Sequence, residues 1–136
     1  MASVHKDIAV RAAAGDVWDA LRDYGAVHER VAADFVVDAH LEGTDRVVTF
    51  VGGAQARERL VTLDDQRRRL VYTVVEGPLG ATHHQASVEV VDNGGDGDES
   101  CTVRWTTDVL PDDLAVAIDG LMDRGAAAIA STLRRK

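Results

Sequence analysis

Many of the residues that build common sites are scarce in this chain. Cysteine occurs once in 136 residues, at Cys101. One thiol closes no internal disulfide and supplies no paired-cysteine zinc spacing, usage that agrees with a reducing compartment. Apolar stretches are short: none nears the roughly 18 residues that span a bilayer, and the opening MASVHKDIAV has no apolar signal core. The expectation is a cytoplasmic protein without integral membrane association. Basic residues are the minority, 15 against 23 acidic for a formal charge of −8, which repels phosphate backbones and anionic head groups. Aromatic residues make up 4% of the chain and do not interleave with the basic clusters Arg67–Arg69 and Arg134–Lys136. Those clusters read as a hairpin tip and a helix C-terminus, so no nucleic-acid partner is expected.

Motifs of the common enzyme classes are missing as well. There is no HExxH, GxSxG or SxxK, and no glycine-rich phosphate loop of the P-loop or dinucleotide type. His5, His28 and His40 are scattered, and the adjacent pair His83-His84 cannot chelate one ion from a regular strand, so neither a metal nor a cofactor is expected. The segment DNGGDGDE, Asp92 to Glu99, lacks calcium-loop ligands where Gly94 and Val103 stand and reads as a solvated hairpin loop. Cys101 has no assignable activating partner and reads as an inert strand cysteine.

What remains is an amphipathic pattern in 46% hydrophobic and 28% charged residues, the composition of a soluble globular protein, and the whole of residues 1–136 is taken as one domain. Val4, Lys6, Ile8 and Val10 alternate with His5, Asp7 and Ala9, a first strand. Val17, Trp18, Leu21 and Tyr24 then recur at helical spacing, predicting a helix from about Gly15 to Asp23 and a short second one near Ala26 to Ala32. Six extended segments follow, FVVDAHLE, DRVVTFV, QARERLVTLDD, RLVYTVVE, ATHHQASVEVV and CTVRWTTDVL, divided by short turn-forming stretches. The chain closes with one long helix after Pro111, carrying Leu114, Ile118, Leu121, Met122, Ile129 and Leu133 on one stripe, acids first and bases last. The fold class is therefore α+β: a curved seven-stranded antiparallel sheet wrapped around a long C-terminal helix, with two short helices between strands 1 and 2.

The stretches GDVWDALRDYGAVH, RERLVTLDD, LVYTVVEGPLG and TVRW, with Gly120-Leu121-Met122 in the last helix, resemble the START-like (SRPBCC) helix-grip superfamily. They are similar to its polyketide cyclase/dehydrase and lipid-transport branch, from about Val4 to Leu133. The resemblance implies a hydrophobic cavity between sheet and helix, entered past the loops Val51 to Gln55 and Glu76 to Gly80. Members include ligand carriers and aromatase/cyclases, so the likeness speaks to fold more than to activity.

Strand parity sorts the candidates. On the strand after the Gly-Pro loop, His84 shares a face with Thr82, Ala86, Val88 and Val90, and His83 takes the other. Glu58 goes with Ala56 and Leu60, a face that the resemblance also turns inward. Val103, Trp105, Thr107 and Val109 go together. Val48 and Phe50 are taken as inward, although Val47, Thr49 and Val51 compete by pattern alone, and Tyr72 with Val74 competes equally with Val71 and Val75. The expected ligand-contacting set is Val48, Phe50, Glu58, Tyr72, His84, Trp105 and Met122.

An inward carboxylate and imidazole need hydrogen-bond partners. A structural reading ties Glu58 to a neighbouring Arg or Tyr and leaves His84 at a wet cavity mouth. The functional reading has both orient the polar end of a small hydrophobic ligand of lipid, polyketide or isoprenoid type. Two alternatives are an aromatase/cyclase or dehydratase using Glu58 and His84 as catalytic acid and base, and an accessory protein acting through its surface loops. Oligomeric state is left open.

Overall fold

A computed structural model describes residues 1–94 and 99–135. Part of the Asp92–Glu99 loop reading therefore falls outside the described residues. Strand β1 (Ala2–Val10) leads into helix α1 (Ala14–Arg22), a 3-10 turn (Tyr24–Ala26) and the short α2 (Val27–Arg30). Strands β2 (Val36–Glu42), β3 (Asp45–Phe50), β4 (Gln55–Asp64), β5 (Arg69–Glu76), β6 (His83–Asp92) and β7 (Cys101–Leu110) follow. A 3-10 turn at Asp112–Leu114 then opens α3 (Ala115–Leu133). The strands form one antiparallel sheet in the order β1-β7-β6-β5-β4-β3-β2, each hairpin neighbour pairing with the next and β7 returning to β1. This is the seven-stranded antiparallel sheet that the alternation predicts. Among the described residues no helix is long and apolar enough to cross a membrane.

Curvature has a local cause where β4 meets β5. The register shifts between Arg57 and Glu58, where β5 carries the extra residue Val75, and again between Leu60 and Thr62, where β4 carries the extra residue Val61; an extra residue in one strand bends it and sharpens its twist. The second shift also breaks simple alternation, since Leu60 and Leu63, three apart, both pack against the core. Helix α3 lies in the resulting concavity because Ile118, Met122, Gly125, Ala128, Ile129 and Leu133 form its buried face. Each fully buried aliphatic side chain of that kind contributes on the order of 1.5–3 kcal/mol.

Polar contacts fix the helix at both ends. Lys6, which shares the inward parity of Val4 and Ile8, reaches Asp119 and Asp123 at 2.7 Å each. At the far end the Arg135 amide donates to the Arg11 carbonyl at 2.8 Å, and the Ala33 amide to Thr132 Oγ1 at 3.0 Å. Helix α1 closes the other side, burying Val17, Trp18 and Leu21; the Trp18 indole donates to Asp65 Oδ1 at 2.9 Å.

Candidate functional site

Between the concave sheet and α3 lies a cavity of about 720 Å³. All of Val48, Phe50, Glu58, Tyr72, His84, Trp105 and Met122 line it. The two open choices of face are decided: Val48 is buried in the wall while Val51 sits exposed in the loop after β3, and Tyr72 points into the chamber. Val51, Ala54 and Pro78 place the loops after β3 and β5 at its edge. A smaller space of about 360 Å³ lies under the second loop, and Phe50, Glu58, Pro78, His84 and Leu121 border both.

The polar heart of the chamber is an ion pair. Arg46 stands opposite Glu58 in the β3–β4 register, and its Nε donates to Glu58 Oε1 at 2.7 Å with both side chains about nine-tenths buried. Arg46 Nη1 donates to the Tyr24 carbonyl at 3.2 Å. The guanidinium carbon lies 4.0 Å from the centre of the Tyr24 ring and 5.0 Å from that of Tyr72, within range of cation–π attraction. The Tyr24 hydroxyl donates to the Glu58 carbonyl at 2.9 Å. Burial works against the Arg46 charge, but Glu58, Tyr24 and Tyr72 together more than offset it, and the net shift is upward. Burial and then Glu58 raise the Tyr72 phenol well above its usual range, with Arg46 opposing; burial also raises Tyr24. Both stay protonated at neutral pH.

Arg46 is absent from the set that sequence reasoning assembled, although it shares parity with Val48 and Phe50. The alternation carries the signal only weakly, because Val47, Thr49 and Val51 make the opposite face of the DRVVTFV segment nearly as apolar. Tyr24 falls on the helical stripe with Val17, Trp18 and Leu21, and its place beside Glu58 depends on a contact 34 residues apart.

His84 projects into both spaces, and burial, followed by its neighbour His83, lowers its pKa. It is neutral at neutral pH. Trp105 crosses the wall under α3, where a Cβ built on Gly125 would lie 2.9 Å from two atoms of its indole ring. The indole Nε1 is buried beside the Tyr72 hydroxyl yet lacks a hydrogen bond of good geometry. Cys101 is fully buried, and burial raises its thiol pKa. Among the described residues no group of three or more His, Cys, Asp or Glu could hold a metal.

A seven-stranded sheet gripping a long C-terminal helix defines a helix-grip protein. The chain belongs to the family described as polyketide cyclase / dehydrase and lipid transport, whose profile matches residues 1–134. No curated protein matches. Among solved structures, a Thermobifida fusca protein is 34% identical, with 96% of this chain and 91% of that one covered and a TM-score of 0.74. An uncharacterised Bacillus thuringiensis protein superposes with a TM-score of 0.84 at 17% identity, covering 97% and 98%. Norcoclaurine synthase from Thalictrum flavum, a point mutant in complex with a transition-state analogue, gives 0.70 at 22% identity over 97% and 93%. The last two likenesses speak to the fold alone.

Proposed function

We propose that this protein binds a small, largely apolar molecule of lipid, polyketide or isoprenoid type in the cavity between sheet and α3. The observation that carries this is a chamber of about 720 Å³ with aliphatic and aromatic walls around one internally compensated ion pair, Arg46–Glu58. Small-molecule sites run from roughly 300 to 1,000 Å³ and combine apolar lining with a few placed polar groups. Phe50, Trp105 and Met122 provide wall, and the Glu58 and His84 region meets the ligand's polar end. Family membership supports the same reading. Thermal-shift and native mass-spectrometry screens over lipids, aromatic polyketides and isoprenoids should return a stabilising ligand at one per chain. A complete blank in both screens, with a crystal structure showing a side-chain-filled core, refutes it.

A second reading is acid–base catalysis on such a ligand, as in a cyclase or dehydratase. It is favoured by a neutral His84, able to accept a proton, on the same wall as Glu58. If purified protein turns over a poly-keto substrate, His84→Ala should lower kcat more than it raises KM. Unchanged kcat removes His84 from the chemistry.

A further inference from the structure

We propose that the cavity selects a neutral ligand whose polar end is a hydrogen-bond acceptor, a ketone, aldehyde or ester carbonyl, received by the hydroxyl of Tyr72. This rests on the reading that the cavity binds a small apolar molecule, and it adds which chemistry that molecule carries.

Charge is the first constraint. Arg46 and Glu58 neutralise each other at 2.7 Å deep in the chamber. An entering carboxylate meets Glu58 and an entering ammonium meets Arg46, each leaving one charge uncompensated in a poorly solvated space. His84 is neutral and offsets neither. The other charged lining residues, Asp34 and Arg124, are exposed and of opposite sign.

Hydrogen-bond direction is the second. Of the two phenols around the ion pair, Tyr24 is committed, since its hydroxyl donates to the Glu58 carbonyl. Tyr72 has no such bond among the described residues. Beside its oxygen lies the buried indole N–H of Trp105, which can only donate. A donor on that side favours use of the phenol's lone pairs there and leaves its own hydrogen for the chamber. Tyr72 also stays protonated, because burial and the nearby carboxylate disfavour phenolate. Tyr72 thus offers the chamber an uncharged O–H donor at this depth, and the complement of that donor is an acceptor oxygen without charge.

The test uses four probes on one ring system: naphthyl methyl ketone, ethylnaphthalene, naphthoic acid and naphthylethylamine, titrated calorimetrically into the full chain at neutral pH. The ketone should bind about tenfold tighter than the hydrocarbon, the worth of one neutral hydrogen bond, and the acid and amine no tighter than the hydrocarbon. In Tyr72→Phe the ketone should fall to the hydrocarbon's affinity while the hydrocarbon is unaffected. Difference infrared spectroscopy of the wild-type complex should show the ketone carbonyl stretch shifted to lower frequency, a readout that does not depend on the variant folding. Equal binding of ketone and hydrocarbon, preference for the acid or amine, an unshifted carbonyl, or a preference that survives Tyr72→Phe overturns the assignment while leaving cavity binding intact. Failure of all four probes to bind counts against cavity binding itself, and this assignment falls with it.

Discussion

Arg46 on β3 and Glu58 on β4 face each other across one rung of the sheet, and the guanidinium Nε donates to the carboxylate at 2.7 Å inside the concave face. Two opposite charges are thereby held within an apolar wall, satisfied by each other and by the Tyr24 carbonyl. Such a pair adds little stability over a well-packed apolar pair, but breaking it leaves a buried charge alone.

Glu58→Gln should therefore destabilise the fold by roughly 3–5 kcal/mol, and a double replacement, Arg46→Met with Glu58→Leu, should recover most of the loss. Urea unfolding of the two variants checks this. A single variant within about 1 kcal/mol of wild type, the range of exposed pairs, would mean that water reaches the pair freely.

His84 makes stability depend on acidity. Its folded pKa lies below the ordinary 6.5 because of burial and then His83, so the unfolded chain takes up its proton at higher pH than the folded one. Above about pH 6.5 both states are neutral and the contribution is complete; as pH falls from there through the folded pKa, stability is lost. Urea midpoints measured across that interval should decline on acidification, and His84→Gln should flatten the decline. Identical slopes would assign the decline to other groups.

Two glycines of α3 should respond in opposite directions. Nothing lies within 4 Å of a Cβ built on Gly120, so Gly120→Ala should gain up to about 1 kcal/mol of helix propensity. At Gly125 the new methyl would sit 2.9 Å from the Trp105 ring and 3.3 Å from Phe35 Cε2. Overpacking costs roughly 1–3 kcal/mol, enough to cancel or exceed the propensity gain. Gly125→Ala should therefore melt below Gly120→Ala and shift Trp105 fluorescence. Equal melting temperatures would show that the indole moves aside without cost.

Lys6 should matter for how α3 sits. Its ammonium bridges Asp119 and Asp123, one helical turn apart. Lys6→Met should lower the melting temperature in low salt and speed amide exchange in the first half of α3, with the difference from wild type shrinking as salt rises. Exchange unchanged in that half of the helix would make the bridge incidental.

Much of the fold could be read along the chain because burial on one face writes itself as a period. Alternation marks the strands, as in β1 and β7, and 3.6-residue spacing marks α1 and α3. Inward parity likewise located Glu58, Trp105 and His84 in the wall. Parity failed to decide where both faces are apolar, as with Val47 against Val48 and Val71 against Tyr72. Arg46 shares that ambiguity, since it lies on the face of β3 with Val48 and Phe50.

The sequence by itself determined the element order and the inward faces of β1, β6 and β7, because each depends on residues a few positions apart. Only the tertiary structure decided that Glu58 is neutralised by Arg46, that Tyr24 closes over the pair, and that Trp105 crosses beneath Gly125. Those contacts depend on strand register, on the bulges where β4 meets β5 and on how closely α3 approaches the sheet. Each is set by packing among residues distant in sequence, and no local period records it.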